Sequence, residues 1–123
     1  MNRRTINSDT NEAETVAGQN DHFRREILRN EKTIPGRTVI TPGVMALGPD
    51  FVLAAMLAVV SYDGFTVPND PHGERDFGAF EIVGEKLFWK IDLFDTAYRY
   101  GAVERSNLNC TMRVLTIFLA SEY

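Results

Sequence analysis

One cysteine, two histidines, one tryptophan and no long apolar run mark this chain of 123 residues by what it has little of. A single thiol, Cys110, cannot form an intramolecular disulfide. That fits a reducing cytosol and leaves only an intermolecular bridge. The longest apolar run, "FVLAAMLAVV" at 51–60, has ten residues, about half of a bilayer span, and reads as core. The N-terminal "MNRRTINSDTNEAETV" has basic residues with no apolar stretch behind them, so it does not read as a secretory signal. The expectation is a cytoplasmic protein without membrane contact. P-loop, GxGxxG, CxxC, HExxH and GxSxG patterns are all missing, as are internal repeats and low-complexity tracts.

Basic residues are also scarce in the main body. Residues 38–123 hold six Lys/Arg against eleven Asp/Glu, whereas residues 1–37 hold seven against six. Binding along a phosphate backbone needs a basic face, so direct nucleic-acid binding is not expected. One local exception is the helix carrying Arg24, Arg25 and Arg29. An acidic body suits a basic protein partner, and it also serves solubility.

The length suits one domain, expected over 11–123 behind a flexible tail at 1–10. Ala13, Val16, Phe23 and Ile27 recur at helical spacing, with polar Asn20 inside the stripe and Gly18 weakening it. "RTVIT" at 37–41 reads as a strand and "TPG" at 41–43 as a turn. Pro49 and Asp50 open a second helix, apolar all round from Phe51 to Val60 and so expected to be buried on most sides. In "FGAFEIVGEKLFWKIDLF", Gly84-Glu85 fits a two-residue hairpin turn, pairing Ile82 with Leu87, Phe80 with Trp89 and Gly78 with Ile91 on a core face. The opposite face carries Phe77, Phe88, Lys90 and Asp92. "CTMRVLTIFLASEY" reads as a last helix capped by Asn109. The fold class is α+β: a small, mainly antiparallel sheet with a central hairpin at 77–94, packed against about three helices.

Chemistry concentrates in "FTVPNDPHGERDFGAF". Extended, this stretch would aim Asp70, His72, Glu74 and Asp76 the same way, a set able to hold a divalent metal or to move protons. Yet Pro71 and Gly73 are also turn chemistry, and a turn destroys that alignment. On the hairpin register Asp76 falls on the core face, where a buried carboxylate needs a partner such as Arg113 or His72. Lys90 and Asp92, two apart on a strand, suit a surface charge pattern and also proton transfer. Trp89 is expected in the core with its indole N–H bonded. Cys110 is expected at a helix start, where the dipole would lower its pKa.

"NDPHGERDFGAF", "FWKIDLFD" and "TMRVLTIFLASEY", with "NDHFRR" and "VITPGVMAL", resemble a bacterial domain-of-unknown-function family, number 3768. The resemblance implies a setting in plasmids and mobile elements, where small proteins interfere with host defence or regulate transfer. Arg75 stands where that family usually shows a second histidine, and arginine is neither a neutral ligand nor a base. A pairing of Arg75 with Asp70, Glu74 or Asp95 would make the motif structural.

The resulting expectation is a protein that binds a protein partner without a cofactor. Its contact surface would be Asp70, His72, Glu74, Arg75, Phe77, Phe88, Lys90 and Asp92. An inhibitor of host defence, of anti-CRISPR type, is its concrete form. The alternative is a metal-assisted or acid–base hydrolase, with His72, Glu74 and Asp76 catalytic and Asp70 joining them around a divalent ion.

Overall fold

The computed structural model describes residues 2–123 in backbone and 11–123 in side chains. Helix α1 spans Asn2–Arg25. It runs through the stretch expected as a flexible tail, of which residue 1 and the side chains of 1–10 lie outside the described residues. Strand β1 (Gly36–Ile40), a short helix α2 (Pro42–Met45) and α3 (Pro49–Val60) follow. Then come β2 (Phe77–Ile82), β3 (Glu85–Phe94), β4 (Met112–Leu119) and a 3-10 turn at Ala120–Glu122. The strands form one sheet in the order β1-β4-β3-β2, antiparallel except that β1 runs parallel to β4. This is the expected α+β class. Among the described residues no helix is long and apolar enough to cross a membrane.

The expected C-terminal helix is instead the strand β4, at the centre of the sheet. Its eight residues include Val114, Thr116 and Ile117, whose branched Cβ atoms crowd a helix and pack well on a pleat. Arg113, Leu115 and Ile117 are buried against the helices, while Met112, Val114 and Thr116 are half-buried on the other face. Asn109, the expected cap, lies in the turn before the strand. "TPG" is likewise no simple turn: Thr41 caps α2, with Pro42 at its first position.

The hairpin is present with its register moved by two. Ile82 pairs with Glu85, Phe80 with Leu87 and Gly78 with Trp89. The turn is Val83-Gly84, both left-handed at φ 49° and 81°, the type I′ geometry that matches strand twist. A shift of two preserves the faces, so Leu87, Trp89 and Ile91 are still core. Gly78 is required opposite Trp89, because a Cβ there would run into the indole Nε1 and come within 2.7 Å of the Tyr62 ring.

The core lies between the inner sheet face and α1 with α3: Val16 and Phe23 from α1, Ile27 from the turn after it, Ala55 and Val59 from α3, and Leu87, Trp89, Leu115 and Ile117 from the sheet. Arg24, expected on a basic surface stripe, is fully buried. It donates to the carbonyls of Val59 (2.7 Å) and Val60 (3.1 Å), placing a cation on the C-terminal end of α3. Its guanidinium also lies 5.4 Å from the Trp89 ring and 5.5 Å from Phe65. Burial lowers its pKa. After α1, Glu26 organises the chain: its carboxylate accepts from Thr33 N, Thr33 Oγ1 and Ile34 N.

Candidate functional site

Alternation along the strands builds two surfaces. Helices cover the inner face. The outer face receives Phe77 from β2, Phe88, Lys90 and Asp92 from β3, and Thr116 and Phe118 from β4. Register places Phe77 beside Lys90, Lys90 beside Thr116, and Phe88 beside Phe118. The rings of Phe77 and Phe88 stand 5.2 Å apart, and those of Phe88 and Phe118 5.6 Å apart. Tyr123 folds onto this row, 5.8 Å from Phe88, and is itself 88% exposed. Glu122 fixes that fold-back by accepting from Leu119 N (2.7 Å), Thr41 Oγ1 (2.8 Å) and Gly43 N (3.2 Å). These bonds, led by the Leu119 amide, hold its carboxyl below the usual glutamate range.

The result is a concavity of about 540 Å³ whose lining includes Phe77, Lys90, Thr116, Phe118 and Tyr123. Three rings share its wall with Thr41, Pro42, Lys90, Thr116 and Glu122. The ammonium of Lys90 is 3.3 Å from the Asp92 carboxylate, and both side chains are about half exposed. An apolar side chain fits such a hollow, and the ion pair at its margin offers polar orientation.

The 70–76 segment is a different object. It turns, with Asp70 N donating to Thr66 O (2.8 Å) and Gly73 N to Asp70 O (3.0 Å). The extended alignment of Asp70, His72, Glu74 and Asp76 is therefore not formed. Among the described residues no three His, Cys, Asp or Glu side chains gather as metal ligands would. Asp70 Oδ1 accepts from Arg75 N, and His72 is exposed. Glu74 is held by both terminal nitrogens of Arg105 at 2.6 Å, which lowers its pKa. Beyond that backbone bond to Asp70, the Arg75 guanidinium pairs with none of the carboxylates expected for it. It reaches Asp21 on α1 at 2.9 Å and lies over the Phe65 ring.

Residues 40–122 match a family model described as "Protein of unknown function (DUF3768)". The chain belongs to that family. No curated protein and no solved structure matches it. The DUF3768 match takes in α2, α3 and the strands β2 to β4, and begins after α1.

In this DUF3768 chain α1 nevertheless anchors the signature loop. Asn20, fully buried, donates from Nδ2 to the Glu74 carbonyl (2.9 Å) and accepts at Oδ1 from Arg113 Nε (2.7 Å). Gln19 accepts from Arg113 Nη2 (2.9 Å) and donates to the Ser106 carbonyl (2.9 Å). One helix face thus ties together the 70–76 loop, the 104–107 loop and β4. The expected contact surface therefore divides: Phe77, Phe88, Lys90 and Asp92 share the open face, while Glu74 and Arg75 are bound to the helix side.

Asp76 pairs by register with Ile91, not Leu93, and neither Arg113 nor His72 bonds to it. Burial first, then the Glu74 and Asp70 carboxylates, raise its pKa. A carboxyl whose pKa is higher folded than unfolded penalises the fold while charged and is relieved on protonation. Asp76→Asn is therefore expected to be more stable than the parent at neutral pH. The difference should shrink as pH falls through the folded pKa, followed by urea denaturation at a series of pH values. A less stable variant at pH 7 would contradict this account.

Two other expectations are corrected. Cys110 lies in a turn, and its thiol donates to Glu104 (2.9 Å), a bond to a carboxylate that raises its pKa rather than lowering it. The buried indole N–H of Trp89 has no acceptor among the described residues. Sequence reasoning missed Asn20, Arg105 and Arg113 as a polar cluster, and Thr116, Phe118 and Tyr123 as lining of the open face. The one visible signal was polar Asn20 inside an apolar stripe.

Proposed function

We propose that this protein acts by binding a protein partner through the open face of its sheet. The observation that carries this is the aromatic row on the sheet face away from the helices, half-buried Phe77 and Phe88 beside buried Phe118, with exposed Tyr123 and the adjoining hollow. Aromatic anchors beside a small number of charged groups are the composition of binding hot spots. The narrower form is a mobile-element inhibitor that meets a basic channel of a host defence complex and occludes it. The acidic balance of residues 38–123 supports that form.

The test is site-specific photo-crosslinking in the native host. A crosslinker at position 123 should capture one dominant protein, and capture should fall in the double variant Phe77→Ala/Phe88→Ala. A crosslinker at Val67, in the loop on the helix side, should not capture it. Equal capture from both positions would sink the reading.

Acid–base chemistry on the 70–76 motif keeps one observation in its favour: the pKa of Glu74 is lowered while that of Asp76 is raised. Calorimetric titration with Mn²⁺ or Zn²⁺ separates the metal-assisted form. Micromolar binding that vanishes in His72→Ala would favour it.

A further inference from the structure

An open sheet has two edges, and here they differ. β1 carries Arg37 and lies between Pro35 and Pro42, charge and proline being two of the devices that keep an edge from pairing. β2, the opposite edge, has neither. It holds no Lys, Arg or Pro, its single charge is Glu81, and it pairs with β3 along its whole length without a bulge.

Parity fixes which backbone groups of β2 point outward. Ile91 N donates to Asp76 O (2.8 Å), and the Val83-Gly84 turn closes the Ile82–Glu85 pair. Bonded pairs alternate along an antiparallel ladder, so Gly78, Phe80 and Ile82 also bond to β3. Phe77, Ala79 and Glu81 turn their N–H and C=O groups away from the sheet, and none of these groups has a hydrogen-bond partner among the described residues. Ala79 and Glu81 are exposed, so this edge reaches solvent.

We infer that the chain forms a two-fold dimer by pairing β2 with β2 of a second copy, antiparallel and centred on Ala79. A parallel ladder staggers its bonds between the two strands, so a two-fold that joins this edge to itself must run the strands antiparallel. Charge then selects the register. Centred on Ala79, each Glu81 lies opposite Phe77 of the second copy, with Lys90 of that copy on the next strand in the same row. The two glutamates stand roughly 14 Å apart, at ~3.4 Å per residue. An axis at Phe80 would make them diagonal neighbours, where like charges repel. An axis at Gly78 would shorten the ladder by leaving Glu81 beyond β2 of the second copy. The Ala79 register also aligns Phe118, Phe88 and Ala79 of one copy with Ala79, Phe88 and Phe118 of the other, joining the apolar rows of the two open faces. The joined sheet then ends in β1 on both sides, so association stops at two copies. The dimer uses a strand edge, and it stands or falls apart from the partner contact proposed on the face.

The test is sedimentation velocity on the full chain over a dilution series, with reductant present so that no Cys110 bridge contributes. The expected result is a micromolar monomer–dimer equilibrium, weakened about tenfold or more by Ala79→Lys, which sets two lysines directly opposite each other at the axis. Leu53→Lys probes the other exposed apolar surface: α3 was expected to be buried on most sides, yet Leu53 is 51% exposed. That variant should leave the dimer unchanged. A second measurement is the oxidation of Ala79→Cys in a Cys110→Ser background. Directly opposed bonded residues have Cα atoms about 5.5 Å apart, within disulfide reach. The covalent dimer should therefore form about tenfold faster or more than for Val83→Cys, which is 93% exposed but distant from the axis. This arm decides even where Ala79→Lys fails to fold. A chain still monomeric at about 1 mM would overturn the proposal. So would a dimer that Leu53→Lys rather than Ala79→Lys dissociates, or equal oxidation rates at positions 79 and 83.

Discussion

Replacing Asn20 by leucine is expected to destabilise the fold by about 3–5 kcal/mol, the range for stripping partners from a buried charge. Arg113 is fully buried with no carboxylate of the described residues on it. Burial, then repulsion from Arg105, lowers its pKa to about 10, which still leaves it charged at neutral pH. Its charge rests on two amide oxygens, those of Asn20 and Gln19, and its Nη1 has no partner among the described residues. Leucine at position 20 keeps the branched shape, removes the 2.7 Å bond to Nε and orphans the Glu74 carbonyl. The decisive measurement is a double-mutant cycle by urea denaturation. Arg113→Met in the Asn20→Leu background should recover stability, because apolar groups of similar volume replace a buried charge without penalty. Simple addition of the two losses would show that the contact is not an energetic unit. The 70–76 loop should become more open to amide hydrogen exchange in Asn20→Leu, since its tether to α1 is cut.

This network shows where the sequence was readable and where it was not. Strands β2 and β3 were legible because polar and apolar residues alternate and a Gly sits at the turn. The turn itself was misplaced by one residue because Val83, a β-branched residue, occupies a left-handed position that residues of its kind avoid. β4 was misread because an apolar run with one face buried and the other half-buried carries no clear period, and only its β-branched content argued for a strand. The two arginines were misread for a related reason. Arg24 looks like a surface charge in any local window, and Arg113 reads as a partner for Asp76 rather than for amides of α1. Their burial depends on α3 carbonyls and α1 amides that are 35 and 93 positions away. The open face was half legible: its Phe77, Phe88, Lys90 and Asp92 followed from parity alone. Its far wall, Thr116 and Phe118, required β4 to be a strand.

Trp89→Ala is expected to cost about 3–5 kcal/mol, the range for deleting a large buried aromatic. The indole is fully buried, met edge-on by Tyr62 at 5.5 Å and Phe65 at 6.0 Å, with the Arg24 guanidinium 5.4 Å away. Alanine would leave a cavity and take an aromatic face from a buried cation. The opposing position makes a sharper test. Gly78→Ala alone should cost about 1–3 kcal/mol, because its Cβ on the edge strand β2 collides with the indole of the paired β3. Trp89→Phe alone should also cost, by loss of contact area. Made together they should cost less than their sum, since the smaller ring vacates the space that the new methyl needs. Additive losses would mean that Gly78 is required for its backbone, not for its lack of a side chain. Lys90 follows Trp89 on the same strand and points to the opposite face. A tightly seated indole therefore fixes the plane from which the open aromatic surface is presented, and loosening it should weaken partner capture at position 123 even where the fold survives.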